Sequence, residues 1–148
     1  MTDLEAGPGD LAICCGGACG TDLIFAEQMF ALNVALEIYL PFDVAEFLAM
    51  SVETGGAGWR QRFDDVCHRA SLDVMSSATT DALASPESLY ERNNLRMLKR
   101  ALSFGADKLE CICVCDGKAD DGPGGTEHLV TAIREAGGRP YIIEPRAV

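Results

Sequence analysis

Leu11-Ala12-Ile13-Cys14-Cys15-Gly16-Gly17-Ala18-Cys19-Gly20-Thr21-Asp22-Leu23-Ile24-Phe25-Ala26-Glu27-Gln28-Met29-Phe30-Ala31-Leu32 joins three local patterns. A short apolar run, 11–15, meets a glycine-rich turn, 16–20, and dense helical periodicity then runs from Thr21 to Leu32. The order predicts strand, turn, helix. Glycine lacks Cβ, so such a turn reaches positive φ and lets a neighbour approach its amides. The following helix points its unpaired N–H groups and positive dipole end at the same place, which suits a phosphate or carboxylate. Gly16, Gly17, Gly20 and Asp22 are therefore expected at a site for a small anion.

The dinucleotide fingerprint G-x-G-x-x-G is matched at its second and third glycines by Gly17 and Gly20, with Cys15 at the first. A tight turn whose glycines only let helix and strand pack closely is the competing explanation.

Beyond this stretch the pattern repeats. Strands are expected at 34–40, 72–75, 109–115 and 139–143, and helices at 59–70, 87–104 and 126–136, with a short helix or packed loop at 42–52. Polar or glycine-rich loops fall at 76–87 and 116–125, and Gly137-Gly138 caps the last helix. The apolar run 109–115 reads as a central parallel strand covered on both faces. Alternation of this kind predicts one three-layer α/β domain over 10–148, a Rossmann-like (flavodoxin-like) fold of about five parallel strands with helices on both faces. Residues 1–9 are expected to be a flexible segment. Ligands of such sheets sit beyond the carboxyl ends of the strands, so 16–22, 85–94 and 116–128 are expected to converge.

A chain of 148 residues with 48% hydrophobic and 24% charged residues is long enough to bury a core. No apolar stretch reaches the length of a membrane span and the N-terminus lacks the pattern of a signal peptide, so a cytoplasmic location is expected. The net charge of −11 opposes binding to nucleic acid or an anionic membrane. The seven cysteines are odd in number. Cys111, Cys113 and Cys115 alternate and share one strand face, so filling a core in a reducing compartment is the expectation. No metal site is expected from Cys14, Cys15 and Cys19, which lack C-x-x-C spacing.

In the helix at 87–104 the apolar stripe is Leu95, Leu98, Ala101 and Leu102, and helical spacing places Glu91 and Asn94 on the same stripe. Glu91 then has two roles open to it. Ser88-x-x-Glu91 is a capping box, and a first-turn carboxylate beside an amide is also a ligand-binding or catalytic pair. Arg92, Arg96 and Arg100 make a solvated stripe on which only Arg92 stands near the helix start. Gly124, Gly125 and Thr126 form a second glycine turn, with Thr126 as N-cap of a plain loop or as part of an anion site. His128 is an exposed first-turn residue, a ligand donor or a general acid–base, while His68 reads as structural. Asp22, Asp116, Asp120 and Asp121 leave magnesium open beside a phosphate.

Four segments taken together resemble one family: Gly16-Gly17-x-x-Gly20-x-Asp22-Leu23-x-Phe25-Ala26-Glu27, Leu40-Pro41-Phe42-x-x-x-Glu46-Phe47, Tyr90-Glu91-x-x-Asn94-x-x-Met97-Leu98 and Asp121-Gly122-Pro123-Gly124-Gly125-Thr126. They are similar to the Rossmann-like domain found in bacterial multidomain proteins beside tetratricopeptide arrays and adenylate-cyclase-like domains. Pro123-Gly124-Gly125-Thr126-Glu127 is also similar to the P-G-G-x-G-T-x-x-E segment of the SLOG superfamily of phosphoribohydrolases and nucleotide sensors. Here the glycine before the threonine is absent and Glu127 follows Thr126 directly, which removes the hydrolase's acid from its spacing. An acid at Glu91 is similar in placement to that of TIR domains and nucleoside deoxyribosyltransferases.

These resemblances imply a nucleotide-binding sensor or regulatory module with a small anionic ligand. An N-glycosidic-bond hydrolase or transferase using Glu91 and Asn94 is the alternative, and a protein-interaction domain without ligand is the third reading. Further domains of a signalling protein and a homodimer are compatible with all three.

Overall fold

The computed structural model describes residues 5–76, 85–115 and 125–145. The chain divides into two compact units, 1–79 and 80–148.

The first unit runs β1 (Leu11–Cys14), α1 (Thr21–Ala31), β2 (Ala35–Leu40), α2 (Val44–Phe47), α3 (Trp59–Arg69) and β3 (Ser71–Val74). Its three strands are parallel in the order β1-β2-β3, with Ile13 opposite Glu37 and Tyr39 opposite Asp73. Parallel neighbours need long crossovers, which the segments carrying α1 and α3 provide. Asn33 ends α1 by taking φ 58°, a conformation asparagine tolerates. The Asn33 and Val34 amides then donate to Phe30 and Met29 carbonyls at 3.1 and 2.9 Å, closing the last turn and delivering the buried Val34 to β2.

Leu23, Ala26, Ile38, Leu40, Phe47, Val52, Phe63 and Val66 are each at most 2% exposed and make up the core of this unit. The stretch expected as a short helix or packed loop contains both kinds of structure. Asp43 caps α2 by accepting the Glu46 amide at 3.0 Å. A π-helical turn, Leu48–Val52, and a 3₁₀ turn, Glu53–Gly55, follow it. Arg62 on α3 grips Glu27 on α1 with two hydrogen bonds of 2.7 and 2.6 Å, and its guanidinium lies 4.2 Å from the centre of the Trp59 ring.

The second unit runs α4 (Pro86–Leu102), β4 (Glu110–Val114), α5 (Thr126–Glu135) and β5 (Arg139–Ile143). β4 and β5 are parallel, with Ile112 opposite Tyr141 and Cys113 opposite Ile142. The expected Gly137-Gly138 stop is present: Gly137 has φ 87°, and the two amides donate to the Arg134 and Ile133 carbonyls at 3.0 and 2.9 Å.

Three expectations need correction. Among the described residues the five strands form a three-stranded and a two-stranded sheet, not one five-stranded sheet. Apolar runs identify strands but not their partners, which is why the sequence is silent on this. β4 is not covered on both faces, since Ile112 is 41% exposed. The α4 stripe is also rotated from expectation: Asn93, Asn94, Met97 and Leu98 are buried, while Leu95 is 45% exposed. Asn93 was detectable from its i, i+4 spacing to Met97.

Two outcomes follow for the first unit. Truncating the fully buried ring in Phe63→Ala lowers stability by about 3–5 kcal/mol in chemical denaturation, with cavity formation added to lost transfer energy. Bonding to Arg62 holds the Glu27 carboxyl below its ordinary value of 4.5. A depressed folded-state value gives stability that is complete above 4.5 and is lost as pH falls through the lower value. Denaturation curves at decreasing pH therefore show a shallower acid loss in Glu27→Gln than in the parent chain.

Candidate functional site

The glycine turn between β1 and α1 is held on three sides. A Cβ on Gly16 would stand 3.2 Å from Phe47 Cζ, and one on Gly17 would stand 3.0 Å from Phe63 Cε2. The space on those sides is filled by rings whose centroids lie 5.9 Å apart. The Ala18 amide donates to Asp22 Oδ2 at 3.2 Å, and the Cys19 amide donates to the Ser51 carbonyl of the π-helical turn at 2.8 Å. Two amides that a phosphate would use are thus already engaged. At Gly20, the N-cap of α1 with φ 102°, nothing lies within 4 Å of an added Cβ, and no side chain caps the helix.

Asp22 turns its carboxyl under the loop. Burial raises its pKa above the ordinary 3.8, against the opposing hydrogen bond from Ala18. The neighbouring Cys14 thiol is pushed well up, first by burial and then by the Asp22 charge and by Cys15.

In the second unit the two helix starts that the sequence singled out come together. Glu91 in the early turns of α4 and His128 in the first turn of α5 stand at ion-pair distance, Oε1 to Nε2 3.3 Å, with side chains 36% and 38% exposed. The His128 Nδ1 is buried with no hydrogen-bond partner among the described residues. α4 leads into β4 and α5 follows it in the chain. Arg92 is exposed and Asn94 is 5% exposed on the buried stripe.

The capping expectations at both helices are corrected. α4 starts a turn earlier than Ser88, with Ser85 Oγ accepting the Ser88 amide at 3.3 Å, so Glu91 is not the partner of a Ser88 cap. The N-cap of α5 is Gly125, without a side-chain cap bond, and Thr126 is the first helical residue. At α4, serine before proline fits the cap geometry at 85–86 better than Ser88 does, while at α5 the N-cap residue Gly125 has no side chain with which to cap. Gly124, Asp116, Asp120 and Asp121 lie outside the described residues. No group of three or more His, Cys, Asp or Glu side chains among the described residues is placed to hold a metal ion.

A carboxylate facing an imidazole, beside helix amides without a side-chain cap, can accept hydrogen bonds from hydroxyls, donate to an anion and move a proton. No family model matches the chain, and no curated protein or solved structure matches it.

Asp22 gives a testable stability outcome. A folded-state pKa raised above 3.8 gives stability that is present below that value and is lost as pH rises through the higher one. Replacing the part-buried charge in Asp22→Asn keeps an oxygen for the Ala18 amide. The midpoint of denaturation at neutral pH then rises, and the decline between acid and neutral pH flattens.

Proposed function

We propose that the chain is a nucleotide- or nucleotide-derivative-binding module of sensor or regulatory type, with its ligand at the carboxyl edge of β4 and β5. The observation that carries this reading is the Glu91–His128 pair beside the side-chain-uncapped start of α5. The Gly125 turn and His128 suit a phosphate, Glu91 suits the hydroxyls of a ribose, and the exposed Arg92 follows Glu91 in the chain. The second unit is favoured over the β1–α1 turn because the Ala18 and Cys19 amides are already engaged there. A place in a bacterial, cytoplasmic signalling protein belongs to the same proposal.

One observation favours a second reading. The same half-exposed carboxylate–imidazole pair is equipped for cleavage of an N-glycosidic bond, with Glu91 as nucleophile or general base and Asn94 positioning the ribose.

The purified chain is incubated with a panel of purine and pyrimidine nucleotides, NAD included, and retained and released small molecules are separated by chromatography. An intact nucleotide retained at stoichiometric levels, and bound roughly tenfold or more weakly by Glu91→Ala and His128→Ala, is the expected result. Free base released by the parent chain and not by Glu91→Ala makes the second reading the correct one. Neither signal overturns both and leaves a protein-interaction domain.

A further inference from the structure

β4 and β5 are parallel, and strands of that kind are ordinarily covered on both faces. Period-two alternation gives this pair two unlike faces. One carries Cys113, 4% exposed, and is the face of α5, which packs against both strands, with Ile142 at its rim 43% exposed. The other carries Glu110, Ile112 and Val114 of β4 beside Arg139, Tyr141 and Ile143 of β5. On that face Ile112 and Ile143 are 41% and 52% exposed, and Val114 and Tyr141 are half-buried.

The charges of the open face say what covers it. Glu110 and Arg139 are register partners, both exposed, and among the described residues neither is in an ion pair. One strand thus presents an acid followed by two apolar residues, and its neighbour a base followed by two apolar residues. We propose that this face is the contact surface of a symmetric dimer of the chain, with β4 of each copy lying over β5 of the other.

A two-fold contact requires a patch that is its own complement. Rotation by half a turn about an axis parallel to the strands sets Glu110 over the partner's Arg139 and Arg139 over the partner's Glu110. The same rotation sets Ile112 over the partner's Tyr141 and Val114 over the partner's Ile143. Two ion pairs then close one end of an apolar layer, and the strands of the two sheets stay aligned, as in face-to-face sheet packing about 10 Å apart. The other two-fold axis in the contact plane, across the strands, sets Glu110 over the partner's Val114 and Arg139 over the partner's Ile143. That arrangement covers charges without pairing them and is unfavourable. An uncharged apolar partner would cover Ile112 and Ile143 but would leave Glu110 and Arg139 in the same unpaired state.

The face is small. Two strands of five residues offer roughly 16 by 10 Å, well below the ~800 Å² per partner of a standard interface, so the dimer is of the weak, concentration-dependent class.

The test is sedimentation of the full chain from micromolar concentration to about 1 mM, where an association of millimolar strength is substantially populated. The average mass is expected to rise toward that of two chains. Glu110→Arg and Arg139→Glu each set like charges against each other and are expected to weaken association roughly tenfold or more. Both positions are exposed, so the variants keep their fold, which circular dichroism checks. Mixing the two variants is expected to recover association, because every ionic contact between the unlike chains then joins opposite charges. A chain that stays monomeric to about 1 mM overturns the dimer. Single variants that associate as the parent does, or a mixture that stays dissociated, overturn this face as its contact. Neither substitution alters Glu91 or His128, so nucleotide retention is read separately and the two proposals fail independently.

Discussion

Two phenylalanine rings set the shape of the first unit. Phe47 and Phe63 stand where side chains on Gly16 and Gly17 would otherwise be, so the chain leaving β1 has to run over them as bare backbone. Other features follow from that contact. α2 must be short enough to present Phe47 from beyond β2, and the π-helical turn after it presents the Ser51 carbonyl to Cys19. Gly55 lets that segment close on the turn, because a Cβ there would fall 2.7 Å from the Cys19 side chain and 2.8 Å from Trp59. The glycines of a turn that resembles a phosphate loop are thus also required by packing. Amide accounting points the same way, since Asp22 and Ser51 take two donors before any ligand arrives.

The second unit breaks local rules in a different place. Asn93 is fully buried and Asn94 nearly so, while Leu95, the next residue, is 45% exposed. Exchanging an amide for leucine at a buried helix position would ordinarily be favourable, since burying an amide costs free energy unless its hydrogen bonds are restored. Departures of this kind concentrate where a site needs polar groups in fixed positions. Here they occur within a turn of Glu91, the residue that faces His128.

The elements of the fold were legible and their assembly was not. Period-two and helical patterns locate all five strands and the long helices to within two residues or so, because each element's own periodicity is local. Sheet membership is different: nothing in Leu109 to Cys115 says which strand lies beside it or what covers its faces. Glu91 and His128 were each legible as first-turn polar residues in separate helices. Their pairing depends on where two helices meet, a relation between residues 37 positions apart that hydropathy does not encode. The cap at Ser85 was missed for a simpler reason: the motif Ser88-x-x-Glu91 satisfies the same rule one turn later, and Pro86, which favours the first position of a helix, is the stronger signal.

The cysteines of β4 show where pattern reasoning stops and chemistry begins. Alternation requires Cys111 and Cys113 to share a face whether they fill a core or bind an ion, so spacing cannot choose between the two. Cysteine as a mere small hydrophobe would be free to turn its sulfur toward the nearest aliphatic neighbour. Here the two sulfurs hydrogen-bond to each other instead, and the charge of Arg134 acts on Cys113. Contact and charge therefore separate these two thiols from Cys14, where burial and the Asp22 carboxylate act against ionisation. The same residue type is thus placed in opposite electrostatic environments in the two units.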